Sequence, residues 1–264
     1  MIKQKIGFLI LIIYFISNTI FSFAQKNNSH NMIMVKGGSF KMGANDGYDD
    51  EKPVHNVSLS DFYICKYETT VAQYRAFCMA TGRKMPADPN EAWYEEHDMV
   101  GKWIWVDNNP ITNITWYDAE AYCKWLSEIS GETYKLPTEA QWEFAARGGL
   151  KSKGYKYSGS NNIKEVSWFD ETTNEKGPKP VGKLKSNELG IYDMSGNAWE
   201  WCADKYGKYT SAVAKDPQGT DKGAYRVIRG GSWYYVEEMS RVTARDGPYP
   251  YYTNYNYGFR VAKK

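Results

Sequence analysis

The sequence has few histidines, few cysteines and almost no excess of charge of either sign. Its 264 residues include three His and four Cys, and 33 Lys and Arg stand against 31 Asp and Glu. His30, His55 and His97 are too few and too scattered to predict a histidine-based iron centre. The formal net charge of +2 argues against a nucleic-acid or anionic-membrane partner that is attracted by bulk charge.

Aromatic side chains are present in excess and form 16% of the chain, with 22 Tyr, 10 Trp and 10 Phe. Trp and Tyr combine apolar area with a polar group, so a chain rich in both can line a binding cleft. The alternative is that the rings fill the core of a compact domain with few helices. The apolar content of 42% and the charged content of 24% are those of a globular protein and exclude disorder as the main state.

The first 24 residues predict a secretory signal peptide. Lys3 and Lys5 form a short basic start, residues 6–21 are mostly apolar, and small residues precede a cut after Ala24. A retained anchor helix is the alternative, but the apolar run is short for a membrane span. Removing the two lysines leaves 31 basic against 31 acidic residues. We therefore expect an exported protein, periplasmic or secreted, with no integral membrane span after cleavage.

Export allows disulfides to form, but the four cysteines give no clear framework for them. Cys65, Cys78, Cys123 and Cys202 form no CxxC pair and have no zinc-type spacing to a histidine. Three pairings of four cysteines are possible, and the sequence does not choose among them. Because Cys78 and Cys123 fall on predicted amphipathic helices, we favour buried free thiols over any bridge.

Residue periodicity predicts a few helices and several short strands. The predicted strands are 32–35, 39–43, 55–59 and 62–67. The predicted helices are 70–81, 116–130 and a third that starts around Thr138, has the pattern of a capping box with Gln141, and ends at Arg147. Residues 25–31 form a polar lead-in. Residues 32–264 show no repeat, linker or break in composition, so we expect one domain.

Four segments carry a family resemblance. They are 34–43 (MVKGGSFKMG), 136–145 (LPTEAQWEFA), 190–201 (GIYDMSGNAWEW), and 229–233 (RGGSW) together with the ending 257–262 (YGFRVA). As a set, in this order and spacing, they resemble the formylglycine-generating enzymes, also called sulfatase-modifying factors, from about residue 32 to the end. The resemblance implies an α+β fold: a single compact domain, related to the C-type lectin fold, with little regular secondary structure.

The resemblance also implies a chemistry that this sequence does not support. Active members of the family oxidise a sulfatase cysteine to formylglycine with copper and oxygen, using two cysteines five residues apart shortly after the Gly-Gly-Ser segment. Two thiolates are soft ligands that suit Cu(I). Here Tyr235 stands where the first cysteine would fall, and residues 230–241 contain none. The resemblance also implies a cysteine in the final Gly-Phe-Arg segment that pairs with a cysteine at the Cys123 position. Val261 stands in its place here, so Cys123 lacks that partner. We therefore expect no copper site.

A calcium site of the family is matched more fully. The resemblance places Asp193, Gly196, Ala198 and Glu200 in register with it. Two carboxylates and two main-chain carbonyls around a glycine turn supply the oxygen ligands that Ca²⁺ prefers. The alternative is that Asp193 and Glu200 only cap and brace a turn.

The resemblance further implies a ligand cleft, because Trp199, Ser232 and Asn256 match positions that line the active cleft of the family. We expect aromatic residues of the adjoining loops to line the same cleft, namely Trp233, Tyr234, Tyr235, Tyr249, Tyr251, Tyr252 and Tyr255. Such rings stack on sugar rings or on a peptide. Arg241 and Arg245 are predicted to add bidentate contacts to a sulfate or a carboxylate.

Three functions remain open on the sequence alone. The first is an exported, non-oxidase member of the family that acts as an accessory or binding domain, in the use of sulfated polysaccharide or in an envelope assembly. Its partner would be a glycan, a sulfatase or an envelope protein. The second is a sulfatase-modifying enzyme with divergent chemistry. The third is a diversified lectin-like ligand-binding protein, suggested by the Tyr- and Asn-rich loop 246–257.

Overall fold

The computed structural model describes residues 31–87, 105–174 and 176–264. The predicted signal peptide, nearly all of the lead-in, and His30, Trp93, His97 and Trp103 lie outside these ranges. Within them, no helix has both the length and the apolar character needed to cross a membrane.

The helices in the described ranges start and end at caps that the local sequence encodes. Thr70, Thr115 and Thr138 are N-caps, and each forms a capping box with the residue three positions further on. Gly82 and Gly131 adopt the left-handed conformation at the C-caps of the first two helices. The helices are α1 (Val71–Thr81), α2 (Trp116–Ser130), α3 (Glu139–Ala146) and the single turn α4 (Asp170–Thr173).

Short strands form three small sheets. The sheet orders are β1-β4-β11-β5, β10-β6-β8-β9 and β2-β3-β7. The strands are β1 (Met32–Val35), β2 (Gly38–Met42), β3 (His55–Leu59), β4 (Phe62–Cys65), β5 (Tyr134–Lys135), β6 (Trp199–Lys205), β7 (Ala214–Lys215), β8 (Arg226–Arg229), β9 (Arg245–Asp246), β10 (Tyr257–Gly258) and β11 (Ala262–Lys263). Because five of these strands have two residues each, long loops make up much of this single α+β domain, as the resemblance implied.

The predicted elements agree with the structure except at a few ends. β1, β3 and α2 have the predicted bounds, whereas β4 stops at Cys65 instead of residue 67. Beyond that point the carbonyl of Lys66 accepts a hydrogen bond from the Tyr192 amide, 3.0 Å away, so the chain leaves the sheet for a loop. α3 ends one residue early because Arg147 is its C-cap.

Part of the aromatic surplus fills the core. Four tryptophans are fully buried, namely Trp142, Trp199, Trp201 and Trp233. α1 and α2 pack through rings: Tyr74 stacks on Tyr122 with a centroid distance of 5.9 Å, and Phe77 meets Tyr122 edge-on at 5.5 Å. The core explanation of the aromatic content therefore holds for several of the described tryptophans and for part of the tyrosines.

All four cysteines are buried, and none of them forms a disulfide in the described structure. Cys78 lies on α1 and Cys123 on α2, as predicted. Burial raises the pKa of each thiol, most strongly for Cys123 and Cys202. The thiols are therefore protonated apolar groups of the core at neutral pH.

A buried ion pair joins segments that no sheet connects. Arg260 donates from Nη2 and Nε to the two carboxylate oxygens of Glu200, each at 2.6 Å, and both side chains are fully buried. The same guanidinium donates to the carbonyls of Cys65 (3.1 Å) and Tyr192 (3.0 Å). Trp142 on α3 donates its indole N–H to Glu200 at 2.8 Å. Arg260 thus holds the end of β4, the loop before β6 and β6 itself together.

We predict that Arg260→Leu strongly destabilises the fold, because the change leaves the Glu200 carboxylate buried without its cation. Breaking a buried pair in this way costs about 3–5 kcal/mol, which urea unfolding of the mature protein would measure. Lys36→Ala is the control, since it removes the exposed ion pair with Asp61 and should leave the unfolding midpoint unchanged. Equal midpoints for the two variants would contradict the prediction.

Candidate functional site

The segment before β6 is bent by residues in left-handed conformations. Asp193, Gly196 and Asn197 have φ values of 57°, 76° and 62°. At Gly196 only glycine fits, because a Cβ would lie 2.2 Å from Ser167 Oγ and 2.3 Å from the carbonyl oxygen of Trp168. The turn therefore packs against the chain at 167–168 and directs its polar groups inwards.

This turn assembles an acidic cluster of Glu68, Asp193 and Glu200 beside Arg260. Glu68 accepts hydrogen bonds from the side chain of Asn197 (2.6 Å) and from the amide of Ala198 (2.9 Å). Asp193 accepts one from the Gly182 amide through Oδ2 at 2.6 Å. Its Oδ1 is buried and has no hydrogen-bond partner in the described part of the chain. Three buried carboxyl groups thus share one guanidinium.

Burial raises the pKa values of two carboxyl groups of this cluster, Asp193 and Glu68. Burial raises the pKa of Asp193 to about 6, and Glu200 adds to the effect. Burial, followed by the charges of Asp193 and Glu200, raises the pKa of Glu68 well above its usual value, although Arg260 opposes the rise. The cluster therefore holds either extra protons or an added cation.

The residues present fit the calcium ion that the resemblance implied. The unpartnered Asp193 Oδ1 is one oxygen ligand, and the negative cluster balances a cation. Both oxygens of Glu200 already accept from Arg260, so Glu200 would bind an ion through remaining lone pairs. No group of three or more His, Cys, Asp or Glu in the described ranges is arranged to hold a metal, so the carbonyls of Gly196 and Ala198 would complete the set. Calcium binding stays a prediction.

The residues matched to the family cleft lie together but are buried. The Trp199 amide donates to the Asn256 carbonyl at 2.8 Å, and Tyr235 meets the Trp199 ring edge-on at 5.8 Å. Trp233 donates its indole N–H to the Tyr255 carbonyl at 3.2 Å. The indole nitrogen of Trp199 and Oδ1 of Asn256 are buried without a partner among the described residues. We define these five residues as the indole cluster.

Ser232 and Tyr234 complete the neighbourhood of the indole cluster. Ser232 is fully buried, and its Oγ accepts a hydrogen bond from the Tyr234 amide at 3.4 Å. The Tyr234 ring lies 5.4 Å from the ring of Trp233. This arrangement agrees with the prediction that Ser232 and Tyr234 lie near Trp199 and Asn256.

The remaining tyrosines form a second, exposed group instead of extending the first. Tyr249 stacks on Tyr251 at 5.2 Å and meets Tyr252 edge-on at 5.3 Å. Tyr225 lies 4.4 Å from Tyr249 and donates its hydroxyl to that of Tyr249 at 3.2 Å. We call Tyr225, Tyr249, Tyr251 and Tyr252 the tyrosine patch. The aromatic contacts therefore divide the single predicted cleft into two groups.

Arg241 and Arg245, which were predicted to contact a ligand anion, pair in this structure with carboxylates of the chain. Arg241 forms a bidentate pair with the buried Glu51 at 2.6 and 2.8 Å. Arg245 forms one with Glu139 at 2.7 and 2.8 Å, and it is itself buried. Both guanidinium groups neutralise carboxylates of the chain, and each lies beside a cavity that contains neither the indole cluster nor the tyrosine patch.

Sequence reasoning missed Glu68 and Tyr225, which complete the acidic cluster and the tyrosine patch. Glu68 lies about 130 positions before its partner Ala198, and Tyr225 lies 24 positions before Tyr249. Neither belongs to a spacing motif. The local signal was that Glu68 is a charged residue three positions after the end of the strand β4.

The fold and these sites define a class of protein: a small α+β domain whose candidate sites lie on loops held by buried polar networks. The chain belongs to the family described as sulfatase-modifying factor enzyme 1-like, matched over residues 17–264. It is 31% identical over 291 residues to a formylglycine-generating enzyme of Streptomyces coelicolor, covering 90% of this chain and 91% of that one.

Other relatives differ in name and in length. The chain is 33% identical to the chaperone protein LppX of Paenibacillus barcinonensis, covering 84% of this chain and 83% of that one. It is 34% identical to the serine/threonine-protein kinase Pkn1 of Chlamydia trachomatis over 88% of its own residues, but it spans only 38% of that relative. Among solved structures, Treponema denticola variable protein 1 superposes with a TM-score of 0.74 at 27% identity, covering 88% of this chain and 94% of that one. PvdO from Pseudomonas aeruginosa superposes equally well at 28% identity.

We predict that calcium raises the melting temperature of chelated mature protein, and more at pH 7.5 than at pH 5. The pKa of Asp193 is raised to about 6, so the stability of the calcium-free fold falls as the pH rises through that value. Calcium competes with the proton and binds better above it. Thermal melts in calcium and in chelator measure the difference. Asp193→Ala should abolish it, and an equal calcium shift in wild type and variant would remove Asp193 from the site.

Proposed function

We propose that this protein is an exported member of its family that binds a carbohydrate and does not carry out copper-dependent oxidation. The observation that carries the proposal is the tyrosine patch, which gathers four rings at the surface of a protein whose tryptophans are largely in the core. The two halves of the proposal, binding and the lack of oxidation, rest on different residues.

The residue at the position of the family's first cysteine argues against copper chemistry. Tyr235 occupies the first position, and its ring packs against Trp199 in the indole cluster. A phenol is a hard oxygen ligand with a pKa raised by burial, so it does not replace a thiolate on Cu(I). The four cysteines of the chain are buried elsewhere as protonated thiols. Among the described residues, no thiolate is therefore available to copper near the Gly-Gly-Ser segment.

The tyrosine patch has the geometry of a stacking surface. Tyr251 and Tyr252 are 59% and 50% exposed, although a ring gains stability from burial. Tyr249 buttresses both, because it stacks on one ring and meets the other edge-on. Tyr225 fixes the Tyr249 hydroxyl from the other side. The two exposed rings are thereby held in defined orientations before a ligand arrives, which lowers the entropy cost of binding.

A neutral saccharide is the occupant that this chemistry favours. Sugar rings offer flat C–H faces to aromatic rings and hydroxyls to phenol oxygens. The cation that adjoins the patch in the chain is Arg226, whose backbone amide donates to the Pro248 carbonyl. Its guanidinium lies 3.8 Å from the centroid of the Trp116 ring and donates to the Ala203 carbonyl, so it is already engaged. Because Arg226 is already engaged, we propose a neutral glycan over a sulfated one.

This binding suits an accessory role in polysaccharide use, next to a sulfatase, or in assembly of the cell envelope. The near-full-length similarity to a protein named as a chaperone favours a second candidate, in which the occupant of the patch is a peptide of an envelope protein. A sulfatase-modifying enzyme with divergent chemistry is the third, and a lectin-like protein with a diversified surface would use the same patch. The two tests below separate these candidates.

We predict that the double variant Tyr251→Ala, Tyr252→Ala weakens binding to a neutral oligosaccharide by about tenfold or more, because it removes both exposed rings. A glycan array with neutral, sulfated and peptide arms, followed by calorimetry on the best ligand, measures the loss. Tyr48→Ala is the matched control, since Tyr48 is equally exposed but lies outside the patch. Unchanged glycan binding by the double variant would place the ligand elsewhere, and peptide binding alone would favour the chaperone-like role.

We predict no conversion of cysteine to formylglycine in a sulfatase Cys-x-Pro-x-Arg peptide. The physical reason is the absence of thiolates beside Tyr235. Mass spectrometry of the peptide after incubation with the protein, copper, reductant and oxygen gives the answer, with the peptide alone as control. Loss of sulfur from the cysteine that depends on the protein would establish the divergent enzyme instead.

A further inference from the structure

The cavity beside Arg245 is a pocket that neither the indole cluster nor the tyrosine patch lines. It has a volume of about 370 Å³ and lies between the β2–β3 sheet, the N-terminus of α3, the end of β6 and the loop 207–220. This volume is in the range of sites for small ligands. Its lining includes apolar residues, such as Met42, Ala140 and Pro217, and two buried acids, Glu139 and Asp204.

Asp204 is the distinctive group of this pocket. It is only 3% exposed, and its Oδ2 accepts a hydrogen bond from the Glu139 amide at 2.9 Å. Oδ1 accepts no hydrogen bond from the described residues, although Asp204 lines the pocket. Gly219, with φ of 77°, lets the loop approach so closely that a Cβ there would lie 2.7 Å from Asp204 Cβ and 3.0 Å from Oδ1. The loop thus covers one side of a carboxyl group whose Oδ1 has no hydrogen-bond partner among the described residues.

The cations near Asp204 are committed to other groups. Arg245 pairs with Glu139 in a bidentate bond and also donates to the carbonyls of Asp50 and Gly207. Lys205 donates its ammonium to the Asp221 carbonyl at 2.8 Å. Lys208 lies on the rim, is exposed and forms no ion pair with Asp204 in the described structure.

The local electrostatics match this shortage of counter-charge. Burial, followed by the charge of Glu139, raises the pKa of Asp204 to about 7 in spite of Arg245 and Arg226. Glu139 itself keeps a lowered pKa because Arg245 and Arg229 face it. Of the two adjacent carboxyl groups, therefore, Asp204 is the one that lacks a cation.

We propose that this pocket binds a small organic ammonium group, with Asp204 as its counter-ion and the apolar wall in contact with its carbon skeleton. An ammonium N–H supplies the donor that Oδ1 lacks, and its charge keeps Asp204 ionised. A divalent metal is a poorer occupant, because no group of three or more His, Cys, Asp or Glu in the described part of the chain surrounds one. The ammonium comes from a free amine, an amino sugar or a lysine side chain.

The test titrates the mature protein with matched probes by calorimetry and NMR. n-Butylammonium, glucosamine and Nα-acetyl-lysine amide carry the charge, whereas n-butanol and N-acetylglucosamine are their neutral counterparts. We expect one or more charged probes to bind with a dissociation constant of about 1–10 mM, and the neutral counterparts at least tenfold more weakly. Which charged probe binds best identifies the source of the ammonium group.

Two variants separate a ligand role from a structural one. Asp204→Asn keeps an oxygen that accepts from the Glu139 amide, so it should fold, but it should lose at least tenfold in affinity for the charged probe. Lys208→Ala is the control on the rim and should not weaken binding. The proposal is overturned if no charged probe binds below about 50 mM, if charged and neutral probes bind equally, or if Asp204→Asn binds the charged probe as the wild type does.

Discussion

The buried ion pair between Arg260 and Glu200 is the constraint on which the other parts of this structure depend. In a domain with long loops and two-residue strands, few backbone ladders define where the segments lie. The guanidinium of Arg260 replaces them by bonding at once to β6, to the end of β4 and to the loop at Tyr192. A buried charge is tolerated only when its partners are complete, so this pair allows few arrangements of these segments.

Whether a buried charge has its partners also distinguishes the residues that hold the fold together from those of the candidate sites. Arg245 with Glu139, and Arg229 with Glu143, are ion pairs within the core in which a carboxylate of the chain neutralises each arginine. The acidic cluster around Asp193 and the pocket beside Asp204 are incomplete. In each, a carboxyl group with a raised pKa has one oxygen without a donor among the described residues, and that oxygen is buried in Asp193. Incomplete polar groups are costly to folding, and a bound ligand offsets that cost. In this domain they are therefore better guides to ligands than the paired arginines are.

The aromatic surplus is divided between the two roles that the composition allowed. The fully buried tryptophans pack in the core, and Trp142 also donates to the central ion pair. The exposed rings are concentrated in tyrosine, whose hydroxyl stays solvated or bonds to a neighbour, as in Tyr225 and Tyr249. The polar end of tyrosine makes an exposed ring less costly than an exposed tryptophan or phenylalanine of similar area.

The sequence by itself determined the features that depend on neighbours a few residues apart or on a motif read along the chain. Thr70, Thr115 and Thr138 cap their helices through residues three positions away, and the family motifs identified the fold and the missing thiolates. Only the tertiary structure decided the partners of Arg241 and Arg245, because their carboxylates lie 190 and 106 positions away. Such ion pairs form only when distant loops pack together. Neither the periodicity of apolar residues nor the spacing of motifs in the sequence predicts them.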